Sequence, residues 1–125
     1  MRGFLLDSHI TAVLVPSVKR VAPTCEVIHL ADWRGGIYLH AHDDEILENA
    51  YVDDLVLVTH DVSTIPILAH EWIKQGRTVA GVAVIAPRFS GVAYIGGLAR
   101  ALGNLYDHPH LLDPAYPIVY VRPAP

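Results

Sequence analysis

Five acidic side chains in this sequence stand where they could bind a divalent cation. Asp7 directly follows the apolar run "FLL", and Asp61 follows "LVLVTH". The triplet Asp43, Asp44 and Glu45 opens the segment "DDEILENAYVDD". Carboxylates that meet in one crevice repel one another and raise each other's pKa unless a cation lies between them. Mg²⁺ and Mn²⁺ prefer oxygen ligands, so these acids predict a site for one of the two ions.

Each acid also has a purely structural interpretation. Asp is common after strands because its side chain forms turns with the nearby backbone. Asp43 and Asp44 are equally suited to the N-terminus of a helix, where they would cap the first turn. The metal site is favoured only if the elements of the fold bring the whole set to one place.

Short apolar runs alternate along the chain with segments of helical periodicity. The predicted strands are "GFLL", "EVIHL", "LVLV", "GVAVIA" and "IVYV", and several are apolar at every position, as in a parallel sheet covered on both faces. Helices are predicted at 10–22, 43–54, 64–76 and 90–106. This alternation predicts a single α/β domain over residues 1–125, with three layers (α/β/α) and a mainly parallel sheet of four to five strands.

Proline, cap and edge signals refine these elements. Pro16 is expected to kink or divide the first helix. Thr64 is the expected cap of the third helix, with Pro66 in its first turn and Gly76 at its end. The last strand, "IVYV", lies in a proline-rich tail and is expected at an edge of the sheet.

The predicted sheet determines where the acids meet. In an open parallel sheet the functional crevice lies beyond the carboxyl ends of the strands. Asp7 and Asp61 both follow strands, and the helix that starts near Asp43 begins at the same edge. We therefore expect these acids to share one crevice. Thr59 would be a hydrogen-bond partner to a carboxylate there or a turn residue at the end of the strand. Arg88, after the fourth strand, is interpreted as a solvated loop arginine that could also contact a phosphate.

Three motifs, in this order, resemble a known family. "FLLDSHI", "HDDEILENA" and "LVLVTHDVSTIP" are similar to the compact PIN-like domains of bacteria, relatives of the PIN-domain (VapC-type) ribonuclease toxins, over about the first two thirds of the chain. The resemblance implies that Asp7, Asp61, and Asp43 or its neighbours Asp44 and Glu45, bind Mg²⁺ or Mn²⁺. It implies hydrolysis of single-stranded RNA, with Asp7, Asp43 and Asp61 as catalytic acids, by the toxin of a toxin-antitoxin pair. A cognate antitoxin protein would be its partner.

The sequence departs from the family after Asp61. The family often has a second acid soon after the last Asp, whereas Val62, Ser63 and Thr64 follow here. This departure favours one bound ion over two. It also leaves open a catalytically degenerate PIN-like module that keeps the fold in order to bind a partner protein.

Eight histidines raise a different metal hypothesis. His40 and His42 form a His-x-His pair beside Asp43, and such a set could hold Zn²⁺ or Fe²⁺ in a hydrolase of another kind. His-x-His places both rings on one side only in an extended segment, and the context here is that of a loop. His60, between Thr59 and Asp61, is interpreted as a packed or surface residue.

Composition limits the other possibilities. The formal net charge is −4, whereas proteins that bind along the nucleic-acid backbone usually carry a basic stripe. A nucleic-acid role would therefore have to depend on a metal. Cys25 is the only cysteine, which excludes an internal disulfide and a cysteine-based zinc site. Neither a signal peptide nor a membrane span is predicted, so we expect a soluble, cytoplasmic protein. Gly96 and Gly97 would allow close packing of the fourth helix, either in a homodimer or within the chain.

Overall fold

A five-stranded, all-parallel sheet forms the centre of the protein. The computed structural model describes residues 1–125. The strands are β1 (Gly3–Leu6), β2 (Glu26–His29), β3 (Leu55–Thr59), β4 (Val82–Val84) and β5 (Ile118–Tyr120), in the spatial order β2-β1-β3-β4-β5. The helices are α1 (Leu14–Val21), α2 (Asp43–Val52), α3 (Thr64–Lys74) and α4 (Ile95–Asp107). The predicted α/β fold with a parallel sheet is confirmed, and β5 lies at an edge as expected.

Two apolar cores cover the two faces of the sheet. Successive strand residues point to opposite faces, so Phe4 and Leu6 belong to one core and Leu5 to the other. The first core contains buried residues of α1 and α4, and the second contains those of α2 and α3. Strands with both faces covered can be apolar at every position, which is why their sequences do not alternate.

α2 and α3 begin at the predicted Asp43 and Thr64, whereas α1 and α4 begin later than predicted, and some residues of the predicted apolar faces are exposed. α1 begins at Leu14, so Pro16 lies in its first turn, where a missing N–H costs nothing. The predicted kink or division at Pro16 is therefore wrong. α4 begins at Ile95, and Val92, in a separate 3₁₀ turn before it, is 85% exposed. Tyr51 of α2, which fits the apolar face in the sequence, is 48% exposed.

The loop from β2 to α2 is held against the far end of that helix. Asp53, the C-cap of α2, accepts hydrogen bonds from Trp33 Nε1 at 2.8 Å and from Arg34 Nη2 at 2.8 Å. Arg34 Nη1 also donates to Asn49 Oδ1 at 2.7 Å. The hydrogen bond from Arg34 lowers the pKa of Asp53 below its ordinary value. This cluster fixes α2, whose first residue is Asp43.

Gly97 allows the C-terminal segment to pack on α4. A Cβ atom at this position would lie 2.6 Å from the Ala124 carbonyl oxygen and 2.8 Å from Pro123 Cβ. The Ala124 N–H donates to the Gly97 carbonyl at 2.9 Å, so the chain itself accounts for the close approach. Gly96 is exposed and has only an Arg100 guanidinium nitrogen, at 3.5 Å, near the position of its Cβ. None of the four helices is long and apolar enough to cross a membrane.

Gly97→Ala and Gly96→Ala are expected to change stability in opposite directions. Gly97→Ala forces the C-terminal segment away from α4 and lowers the free energy of unfolding by about 1–3 kcal/mol. Gly96→Ala meets no backbone and gains helix propensity, so it raises that free energy by about 0.5 kcal/mol. Urea unfolding followed by circular dichroism measures both. Equal stability of the two variants would show that the segment does not depend on Gly97.

Candidate metal centre

The candidate centre lies where the direction of the chain connections changes. β1 is followed by a connection to β2 on one side, and β3 by a connection to β4 on the other. Such a switch point leaves a crevice beyond the carboxyl ends of the two neighbouring strands. Asp7 follows β1 directly, and Asp61 lies two residues after the end of β3. The structure therefore brings these two acids to the same edge, as predicted from their positions in the sequence.

A threonine hydroxyl connects the two acids. Thr59 Oγ1 donates to Asp7 Oδ2 at 2.8 Å and accepts a hydrogen bond from the Asp61 N–H at 3.0 Å. Thr59 is completely buried, so its hydroxyl has no alternative partner in water. The Ser8 N–H donates to the other oxygen of Asp7, Oδ1, at 2.8 Å. The predicted hydrogen bond from Thr59 to a carboxylate is thus confirmed, and it fixes the orientation of Asp7.

Asp61 serves the fold as well as the cleft. Its Oδ1 accepts hydrogen bonds from the N–H groups of Ser63 and Thr64, both at 2.9 Å, and its Oδ2 accepts one from Ile65 at 3.1 Å. Asp61 therefore caps α3, and the prediction that Thr64 is the cap is wrong. Burial tends to raise the pKa of Asp61, but these three backbone hydrogen bonds together outweigh it and lower the pKa below its ordinary value.

Asp43 experiences the negative charge of the other two acids. It is the first residue of α2 and is half-buried. Its pKa is raised, first by burial and then by the charges of Asp7, Asp61 and Asp44. Repulsion of this kind is the electrostatic condition that a bound cation relieves. Asp44 and Glu45 are exposed on α2. The cleft between the strands is lined by Asp7, His9, Thr59, His60 and Asp61. The predicted Asp43, Asp44 and Glu45 do not line it, so the expectation that all five acids share one crevice is met only by Asp7 and Asp61.

The donor chemistry of the cleft fits one class of metal better than another. No three side chains of the His, Cys, Asp and Glu types lie close enough together to form a ready-made ligand set, either around Asp7 or around His40 and His42. Catalytic Zn²⁺ usually needs three protein ligands. Mg²⁺ keeps several of its waters and commonly binds through one or two carboxylates plus substrate phosphates. The carboxylates of Asp7 and Asp61 are oxygen donors of the kind that Mg²⁺ and Mn²⁺ prefer.

Two histidines that the sequence did not point to complete the wall of the cleft. His9 and His60 both line it, and His60 is half-buried, with Nδ1 2.7 Å from the Ile85 carbonyl oxygen. His9 lies two residues after Asp7 in "DSHI", a spacing with no recognised meaning. The contact of His60 joins residues 25 positions apart, so no local pattern could have predicted it.

Arg88 lies in a short 3₁₀ turn, Pro87–Phe89, after the carboxyl end of β4. Its side chain is exposed, and its guanidinium carbon is 4.8 Å from the centre of the Phe89 ring. A cationic group is therefore present at this edge of the sheet, as predicted, although it does not line the acidic cleft.

Comparisons of the chain with protein-family models, curated proteins and solved structures find no match. The chemistry of the cleft is therefore inferred from its own residues.

The pKa values of Asp43 and Asp61 are expected to depart from the ordinary value of Asp in opposite directions. Asp43, with a raised pKa, costs folding free energy as pH rises through its titration range. Asp61, whose pKa is lowered, contributes stability at pH values above the ordinary pKa of Asp, and this stability is lost as pH falls through the folded pKa of Asp61.

Asp7→Asn should move the pKa of Asp43 back towards the ordinary value because one repelling charge is removed. Carbon-detected NMR titration of the carboxyl groups measures each pKa. Asp32→Asn, at an exposed acid without a side-chain hydrogen bond, is the matched control and should leave Asp43 unchanged.

The bond between Thr59 and Asp7 is expected to appear as a coupling free energy. In a double-mutant cycle of Thr59→Val and Asp7→Ala, the two losses of stability should be non-additive by about 1–2 kcal/mol, since the hydroxyl donates to a charged acceptor. Valine keeps the shape of threonine, so the cycle isolates the hydroxyl. Additive losses in urea unfolding would mean that this bond does not hold Asp7 in place.

Proposed function

We propose that this protein is a Mg²⁺- or Mn²⁺-dependent ribonuclease that hydrolyses phosphodiester bonds of single-stranded RNA. The observation that carries the proposal is the placement of Asp7 and Asp61 at one switch point, connected through the Thr59 hydroxyl, with Asp43 repelled by both charges. The resemblance of the three motifs to PIN-like domains supports the same activity. By that resemblance, the protein is proposed to be the toxin of a toxin-antitoxin pair.

Each acid has a separate role in this proposal. The ion would supply activation of water and stabilisation of the charge that develops on phosphorus. Asp7 is the primary ligand because each of its oxygens accepts only one hydrogen bond and keeps a lone pair free. Asp61 contributes negative charge from a fixed position. The proposal gives Asp43 the role of the base that accepts a proton from the attacking water, acting from the start of α2 beside the residues that line the cleft.

The charge of the protein supports a metal-dependent mode of RNA binding. The net charge is −4, and the residues that line the cleft include no lysine or arginine. Phosphate would be repelled by Asp7 and Asp61 unless a cation stood between them. In this proposal Arg88, an exposed cation after the carboxyl end of β4, contacts a neighbouring phosphate of the RNA. The ion would therefore serve binding as well as chemistry.

One observation favours a second candidate function, a PIN-like module that binds a partner protein without catalysis. Both oxygens of Asp61 are already used to cap α3, and no acid follows at Val62, Ser63 or Thr64. A carboxylate used in this way would persist after catalysis was lost, because the fold needs it.

A Mn²⁺ titration beside a nuclease assay tests the proposal. Wild type is expected to bind Mn²⁺, measured by electron paramagnetic resonance, and to cleave a mixed-sequence unstructured RNA. Asp7→Asn should weaken binding by tenfold or more, because it removes a charged ligand. A tenfold loss corresponds to about 1.4 kcal/mol of binding free energy. Asp43→Asn should keep most of the binding and lose most of the cleavage. Asp32→Asn is the control, since it removes one negative charge at an exposed residue that does not line the cleft.

The variants at Asp61 need a stability measurement alongside. Asp61→Asn keeps an oxygen for Ser63 and Thr64 but loses the acceptor for Ile65, so it is expected to unfold at lower urea concentration as well as to bind Mn²⁺ more weakly. A chelator must abolish cleavage. Its effect distinguishes the activity of this protein from that of contaminating nucleases that need no metal. Unchanged binding in Asp7→Asn would contradict the metal site. Binding that depends on Asp7, without cleavage of RNA, would favour the interaction module.

A further inference from the structure

A second cavity lies directly beside the acidic cleft. It has a volume of about 90 Å³ and opens to the surface between the start of α1 and the start of α4. Its walls are mainly apolar and include Leu14, Ile85, Phe89, Ile95 and Leu98. Nothing in the proposed metal chemistry uses this space, so it is available for a different part of a ligand.

Two histidines belong to both spaces. His9 and His60 line the acidic cleft and also the apolar cavity, so a molecule in the cavity lies next to whatever occupies the cleft. His60 Nδ1 is 2.7 Å from the Ile85 carbonyl oxygen. A carbonyl can only accept, so Nδ1 carries the hydrogen and Nε2 is the ring nitrogen left for a ligand. The cavity therefore combines an apolar part of its wall with polar side chains, among them His9 and His60, which it shares with the acidic cleft.

The size of the cavity limits its occupant. An engineered cavity of about 150 Å³ in another protein admits benzene. A cavity of about 90 Å³ that is open on one side can take up part of a single six-membered ring, whereas a fused double ring would leave a larger part of its surface in solvent. Flat heterocycles have apolar faces and a polar edge, which matches the walls and the histidine.

We propose that this cavity binds the pyrimidine base of a nucleotide whose phosphate lies at the acidic cleft. The part of the inference that concerns RNA rests on the proposed function and names its substrate class: RNA with a pyrimidine beside the scissile phosphate. Phe89 supplies an aromatic wall, and sequence-tolerant contacts between bases and aromatic rings are common in single-strand binding. The selectivity comes from size, because a purine would bury a smaller fraction of its surface in the cavity than a pyrimidine.

Neutral nucleosides test the cavity without the metal. Uridine should shift the NMR signals of the Ile95 and Leu98 methyl groups, whereas adenosine should bind about tenfold more weakly. Ribose alone should leave those signals in place. Phosphates are avoided in this arm because the carboxylates of the cleft repel them in the absence of a cation.

Substitutions at Ile95, a half-buried wall residue, change the size of the cavity at its rim. Ile95→Trp should fill the space and abolish uridine binding, and Ile95→Ala should enlarge it and reduce the preference for uridine over adenosine. Val92→Ala is the matched control, because Val92 is 85% exposed and does not line the cavity. In cleavage assays, poly-uridylate should be cut faster than poly-adenylate by wild type, and Ile95→Ala should narrow that difference.

The outcomes separate this inference from the nuclease proposal. Uridine binding that Ile95→Trp removes, in a protein that cleaves no RNA, would support the base site and overturn the nuclease. Cleavage that depends on Asp7 but shows no base preference, together with nucleosides that leave the methyl signals unchanged, would overturn the base site and leave the nuclease standing. Equal binding of uridine and adenosine to wild type would also overturn the base site.

Discussion

The hydrogen bond from the Thr59 hydroxyl to Asp7 joins the ends of two neighbouring strands, and the candidate centre depends on it. Both faces of the sheet are covered by helices, so polar groups can gather only where strands end. Thr59 is the one buried polar residue of the protein, and it lies at such an end. Its hydroxyl donates to Asp7 and accepts from the backbone of Asp61, so it links the segment that follows β1 to the segment that follows β3.

The acids at this edge differ in what they do for the fold. Asp61 stabilises it, because its carboxylate caps α3 with three backbone hydrogen bonds. Asp43 works against it, because burial, and then the charges of Asp7, Asp61 and Asp44, disfavour its ionised form. Groups that cost stability in this way are frequent at functional sites, since a fold without such a site has no reason to bring like charges together. In the proposed function, the raised pKa of Asp43 therefore supports a metal centre more directly than the positions of Asp7 and Asp61 do.

Much of this arrangement could be predicted from the sequence, and the missing part has a physical reason. Continuous apolar runs predicted the buried strands, and the rule for parallel sheets then placed Asp7 and Asp61 at one edge. The cap of α3 was missed because Thr64 fits the usual pattern, whereas the actual cap, Asp61, reaches forward over three residues to the free N–H groups. The role of His60 was missed because its orientation depends on Ile85, a residue from another strand connection. Local patterns determine elements, but side-chain contacts across the edge depend on the assembled sheet.

A polyanionic substrate can approach the acidic cleft only if a cation offsets the repulsion between them. Asp7 and Asp61 repel phosphate, and the two carboxylates alone leave most of the coordination sphere of Mg²⁺ to water. Phosphate oxygens are ligands that such an ion readily accepts in exchange for water. In the proposed function, binding of the ion and binding of RNA are therefore linked, and each raises the affinity of the cleft for the other. Loosely grouped acids suit this role better than a closed ligand set, because a completed set of protein ligands would leave no position for the substrate.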